Sequence, residues 1–406
     1  MQRWALIFAL ATRNFWRQRR RNTSLLIAVA IGMAATLAGG FLIRGWQMSS
    51  IAEAVDNLGG TIVVQHADWS AKPEPRFSVA LDATNRQRLN DLDRPWLARI
   101  RANVSLSSER ETRGAELHGI DVAAELEQTV LARYRIDGAW PDAESTNAVV
   151  VGAALVADLE TRLGKRIVLM TQDAQERRAE IGLTIVGVFH APTEAAERAR
   201  IFMPRQAVER LLNMTGRASE IVISTPDLLR TEAATEAVAA AFPTARVRDW
   251  RGVQPTIWAM YQLTEGMVVI WQMIFLAALA FGLVNTLVAA VLERTREFGL
   301  LQAVGMRPRA ILQQVLVESW LILLAGLIVG GVIAALIYLW LADGIDVAAL
   351  APGMDVPGMT RPLYPIVQAV DVVSLIGVIA LFGFFASLYP ARRAVALDPI
   401  TALNRH

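Results

Sequence analysis

The chemically richest stretch of this chain is Glu293-Arg294-Thr295-Arg296-Glu297-Phe298-Gly299-Leu300-Leu301-Gln302-Ala303-Val304-Gly305-Met306. Carboxylates and guanidiniums at its start are followed by Phe298, Leu301 and Ala303, which offers ion pairing beside an apolar face. That is the chemistry of recognition, not of bond making. Gly299 lets another backbone approach closely. The groups that usually carry catalysis do not assemble. His66, His118, His190 and His406 show no HxxxH or HExxH spacing, so no metal site is expected. There is no cysteine, which excludes a Cys nucleophile and thiolate metal sites. Gly164-Lys165 is followed by arginine and lacks the upstream glycine of a phosphate-binding loop, so ATP, if used, belongs to another subunit.

The elements that position this handle are apolar. Of the 406 residues, 54% are hydrophobic, the composition of a membrane protein with a soluble part. Residues 23–43, 265–292, 311–341 and 370–389 each approach or exceed the ~20 apolar residues that cross ~30 Å of hydrocarbon. The charged segment falls in the 293–310 loop between the second and third of them. Arg13, Arg17, Arg19, Arg20 and Arg21 precede the first span, while Arg392, Arg393 and Arg405 follow the fourth. The 342–369 loop carries Asp343, Asp346 and Asp355 against Arg361. This asymmetry predicts cytoplasmic termini, a cytoplasmic 293–310 loop and 390–406 tail, and residues 44–264 outside. Residues 1–22, with Trp4, Ile7, Phe8, Ala11, Phe15 and Trp16 at helical spacing, read as an interfacial amphipathic helix.

Within 44–264 the pattern predicts an α+β domain, in two subdomains. Thr61 to Gln65, Ala148 to Gly152 and Glu220 to Ser224 read as strands, and Arg166 to Met170 with Ile181 to Phe189 as a hairpin. Asp121 to Arg133, Ala153 to Leu163 and Pro204 to Leu212 read as helices, the second ending on Gly164 as its cap.

Asn285 to Arg307 resembles the signature of FtsX/MacB/LolCE-type ABC transporter permeases: an Asn-containing second span, the run Glu293-Arg294-Thr295-Arg296-Glu297, a hydrophobic residue and Gly299, then a second glycine, Gly305. Glu318-Ser319, the Gly-rich Gly326 to Gly331, Tyr389-Pro390-Ala391-Arg392-Arg393 and Asp398-Pro399-Ile400-Thr401-Ala402-Leu403 extend the likeness over the whole chain. The resemblance implies a type VII ABC permease architecture, a membrane α-helical protein of four transmembrane helices with an inserted α+β periplasmic domain. It implies that the loop is a coupling helix seated on a cytoplasmic ABC ATPase dimer. ATP and Mg would be bound by that partner, with no cofactor in this chain, in the bacterial inner membrane. It further implies a second permease copy or paralogue, and force carried outward by extensions of the first two spans. Among the family's tasks, lipoprotein release looks most similar; MacB-like efflux and FtsX-like signalling to periplasmic partners are the alternatives. A periplasmic lipoprotein chaperone or adaptor would be a further partner, with 190–200 the sole candidate for the hairpin that engages it. No nucleic acid is implied.

In the spans, Asn285, Glu318, Gly326 and Gly330 are expected to serve helix packing. Met33, Leu37, Phe41, Met48, Ile257, Met260, Met267, Trp271 and Phe275 form the candidate surface for a lipidated or amphipathic substrate, since methionines and flat rings suit acyl chains. A receptor is the competing class, but the tail after Arg393 is short for an output domain. An intramembrane enzyme is disfavoured because no span offers a Ser-Lys pair or paired aspartates.

Overall fold

The fold was obtained as a computed structural model, which describes residues 19–69, 74–293, 300, 306–345 and 362–395. Among the described residues, four helices are long and apolar enough to cross a membrane, within Asn22–Leu58, Pro255–Gly282, Arg309–Trp340 and Ala369–Leu388. Two of the parent helices far exceed a span: Arg19–Leu58 has 40 residues and Pro255–Glu293 has 39. At about 1.5 Å per residue each is nearly twice the thickness of the hydrocarbon layer. The third, Pro308–Trp340, starts on a proline, whose fixed φ suits the first turn. The fourth is Ala369–Val395. The chain divides into two compact units, one holding the span helices and one running over Ser49–Met260.

The second unit is built on a ten-stranded sheet with the path β12-β1-β11-β3-β4-β9-β6-β8-β5. Its strands are β1 (Ile62–His66), β3 (Trp96–Ser107), β4 (Thr112–Ile120), β5 (Arg135–Gly138), β6 (Ala148–Gly152), β7 (Arg166–Gln172), β8 (Arg178–His190), β9 (Arg200–Pro204), β11 (Glu220–Ile223) and β12 (Ala245–Asp249). β7 pairs with both β3 and β8, and β2 (Val79–Ala80) pairs with β10 (Arg217–Ala218) apart from this sheet. Three hydrophobic clusters line the large sheet, and the third gathers Ile120, Val150, Phe189 and Phe202 on the face opposite the other two. Ile62, Val64, Ala98, Ile221, Ile223 and Val238 form the first, while Ile100, Leu106, Leu117, Val151, Leu169 and Ile185 lie in the second. β3 belongs to the first two, because its even-numbered residues from Ala98 to Leu106 all point inward.

Three expectations change. The helix expected over 121–133 is interrupted at Thr129, whose backbone is extended; its hydroxyl donates to Glu125 O at 2.8 Å and accepts from Leu131 N. A threonine that competes for backbone partners breaks the run. The helix expected to end at Gly164 stops at Asp158, with Leu159 as its cap and Glu160 turning the chain at φ 49, and Thr161 N bonds Val156 O. A glutamate in the left-handed region is uncommon, so the sequence pointed to the glycine. The 190–200 segment is no projecting hairpin. It carries the helix Glu194–Ala199, and the Glu197 carboxylate accepts from Ala154 N and Ala191 N, both at 2.9 Å, which pins it to the domain.

Candidate functional site

Arg294, Thr295, Arg296, Glu297, Phe298, Gly299, Leu301 and Gly305, the expected coupling residues, lie outside the described residues, as does the side chain of Glu293. Their frame is described: the second long helix runs to Glu293, and the third begins at Pro308.

The packing residues divide. A Cβ added to Gly326 would lie 2.6 Å from Val29 Cγ1, and one added to Gly330 would lie 2.7 Å from Ala30 O and from Met33 Cβ. Both glycines therefore let the third span pack closely on the first, Gly326 against the Val29 side chain and Gly330 against the backbone at Ala30. Glu318 is buried, whereas Asn285 is exposed within this chain. Gly330→Leu is expected to lower the thermal midpoint of the purified protein, by an overpacking cost of about 1–3 kcal/mol. Gly331→Leu is the control, since nothing lies within 4 Å of a Cβ there. Equal effects of the two would contradict this contact.

The candidate substrate residues do not share one surface. Met33, Leu37 and Phe41 are buried in the span bundle beside Leu276, Leu323 and Leu375, so packing accounts for them. Phe275 lies over Gly32, where a Cβ would collide with its ring. Met48 and Ile257 are half-buried. Met260, Met267 and Trp271 stay exposed on the second long helix; Trp271 is 64% accessible, and Leu263, Ile270 and Ile274 are exposed alongside.

One constellation in the spans escaped the sequence. Arg44 donates to both oxygens of Asp371, at 2.9 and 3.0 Å, and also to Glu265. This ties the first, second and fourth helices at one level, in an arrangement suited to a bidentate guanidinium. The available signal was an acid near the start of each of two spans and an arginine after the first.

A second constellation lies on the sheet face that also carries the cluster of Ile120, Val150, Phe189 and Phe202, where the first long helix ends. The helix closes on Gly59 at φ 76, with Gly59 N bonding Asp56 O and Gly60 N bonding Val55 O, a Schellman cap. Arg99 of β3 donates from Nη1 to Leu58 O at 2.6 Å, and from Nε and Nη2 to the Glu125 carboxylate at 2.5 and 2.7 Å. Neither partner of that ion pair is more than 7% accessible. From there a polar row crosses adjacent strands. Arg101 bonds Glu116 and, at 3.0 Å, Glu220; Gln65 donates to Glu220 at 3.3 Å, and Arg248 to Gln65 at 2.8 Å. Arg200 reaches Asn57 at 3.4 Å. Close to the same helix end Trp250 N bonds Thr61 O, and Asp249 caps the short helix Trp250–Val253 just before Pro255 opens the second long helix. The strands that receive one long helix and release the other, β1 and β12, are thus direct neighbours, with Ile62 opposite Asp249.

His118 sits in this row, opposite Arg101 and 3.4 Å from Glu116. Burial, reinforced by Arg101, Arg200 and Arg99, holds its pKa well below 6.5 and the ring neutral. The unfolded chain therefore takes up this proton first as pH falls. The native state keeps its full contribution above about pH 6.5 and loses it below, by up to about 1.4 kcal/mol per pH unit. His118→Gln is expected to flatten the thermal midpoint between pH 6.5 and 5; an unchanged slope would assign the acid sensitivity to other groups.

Four span helices with a sheet domain inserted in sequence between the first and the second are the architecture of a type VII ABC permease. The family models agree: residues 25–241 match the MacB-like periplasmic core domain and residues 268–399 the FtsX-like permease C-terminal domain. The chain belongs to the FtsX/MacB-type family of ABC transporter permeases. It is similar to "Macrolide export ATP-binding/permease protein MacB 2" of Aeromonas hydrophila, at 24% identity over 95% of this chain and 58% of that protein. It is also similar to "Macrolide export ATP-binding/permease protein MacB" of Hahella chejuensis, at 31% identity over 55% of this chain and 33% of that protein. The chain thus spans 58% or less of the length of these two relatives. Among solved structures, the periplasmic region of MacB from Actinobacillus actinomycetemcomitans covers 49% of this chain and 92% of its own, at 14% identity and a TM-score of 0.34.

Proposed function

We propose that the chain is the membrane subunit of an ATP-driven machine of the bacterial inner membrane. In this reading the termini and the 293–310 loop face the cytoplasm, and the loop receives an ABC ATPase dimer formed by a separate chain, which binds ATP and Mg. A second permease copy or paralogue completes the assembly. Movement at the loop travels through the first and second long helices to the sheet domain in the periplasm.

The observation that carries this reading is continuity. The two helices of 40 and 39 residues run without a break into and out of the sheet domain, and they join it at neighbouring strands. A passive anchor needs only about 20 residues per span.

For the cargo, the relatives' names favour export of a macrolide-like amphiphile over lipoprotein release, which the sequence resemblance placed first. Both suit the exposed Met267, Ile270 and Trp271 on the second helix. Among the described residues between 61 and 253, Leu163 is the large hydrophobic that stands exposed, so the sheet domain offers an acyl chain little. The pinned helix Glu194–Ala199 also removes the expected grip for a lipoprotein chaperone. Deleting the gene should raise macrolide sensitivity and leave mature lipoproteins correctly sorted. Lipoproteins accumulating in the inner membrane, with sensitivity unchanged, would assign lipoprotein release instead.

A further inference from the structure

The end of a helix leaves its last carbonyls without intrahelical partners, and most such groups are met by water or by a glycine cap. Here one of them, Leu58 O, is held by a buried arginine from the centre of the sheet. The contact is tight: a Cβ on Gly59 would lie 2.0 Å from Arg99 Nη2, so only glycine lets the guanidinium lie against the turn. Glu125 grips the other edge of the same guanidinium from the helix Val122–Gln128, and this fixes its plane. Asn57, one residue earlier, meets Arg200 of β9. Arg99 stands on β3, the strand common to the first two clusters, and the row through Arg101, Glu220, Gln65 and Arg248 leads on to β12, which precedes the second long helix.

Stability alone is a poor reason to bury such a pair. Replacing a buried ion pair with apolar residues of similar volume is often neutral or stabilising. What the apolar pair cannot do is hold the Leu58 carbonyl in one place.

We infer that Arg99, oriented by Glu125, is the joint that locks the end of the first long helix to the sheet, so that helix and sheet move as one body when the machine works. Arg99 is a positioning residue in this scheme. The inference rests on the proposed transmission of movement from an ATPase through that helix.

The absence of cysteine allows a clean test on the full chain, complexed with its ATPase in lipid nanodiscs. Ala52→Cys on the helix and Arg113→Cys on β4 would carry spin labels, and their separation would be measured without nucleotide and with the ATPase trapped by ATP and vanadate. The parent should give one narrow distance in both states. Arg99→Met/Glu125→Leu should keep most of the parent's thermal stability and its ATPase binding, yet show a second distance population in the trapped state. Arg99→Lys, which keeps the charge but loses the fork, should broaden the distribution in the same state and serves if the double variant does not reach the membrane. Distances indistinguishable from the parent in either variant would overturn the joint. A chain that binds no ATPase at all would instead fail the functional reading, before any distance is compared.

Discussion

Glu297→Lys and Gly299→Trp are each expected to strip the chain of its ATPase on co-purification. The first reverses a charge in a segment whose value lies in pairing acids and bases. The second fills the position at which, in the proposed coupling role, a partner backbone comes close. Residues at the centre of such a contact cost about 2 kcal/mol or more when lost, a factor of about 30 in affinity, and a bulky intrusion costs more. Gln302→Ala, outside the charged run, should leave the complex intact. An ATPase that co-purifies equally with all three variants would remove the coupling role from this segment.

The second large effect concerns Arg99. Arg99→Ala leaves the Glu125 carboxylate buried without its bidentate partner and Leu58 O without a donor. Breaking a buried pair from one side costs about 3–5 kcal/mol. Arg99→Met/Glu125→Leu removes both charges together and should recover most of that loss, a strong non-additivity of the kind that contacting residues show. Thermal unfolding in detergent of the parent, Arg99→Met, Glu125→Leu and the double variant completes the cycle. If the double variant loses as much as the two single variants summed, the pair is not coupled as its geometry requires.

Much of the fold was legible because bilayer crossing imposes a length on apolar runs that few other constraints mimic. Four spans and one inserted domain follow from that length. Which span residues face inward was not legible. Met33, Leu37 and Phe41 are buried while Met267 and Trp271 are exposed, yet all five are apolar. In a bilayer the lipid-facing and protein-facing sides of a helix carry the same residue types, so no amphipathic stripe marks the packed face. Gly326 and Gly330 were legible for the converse reason: close backbone approach demands small residues and little else does.

The sheet was read unevenly. β6, β8 and β11 announce themselves as runs of Val and Ile. β3 and β4, the longest antiparallel pairing in the domain, were missed because Arg99, Arg101, Glu116 and His118 interrupt the apolar pattern. Those polar residues belong to the row at the helix end, so the feature that hid the strands is the one that makes the site. Nor could spacing reveal the site itself. Leu58, Arg99 and Glu125 are brought together by the pairing of β3 within the sheet and by the placement of the helix Val122–Gln128, neither of which a local pattern encodes.

The most direct test of the central claim uses a single cysteine placed in the otherwise cysteine-free chain at Phe298, with the ABC ATPases of the same cell co-expressed and a short thiol-reactive cross-linker added to membranes. A cross-linked product containing an ABC ATPase chain is expected, lost on adding Glu297→Lys and absent for a cysteine placed at Tyr364, beside the fourth span. Labelling of the cysteine at 298 with no ATPase in any product would contradict it.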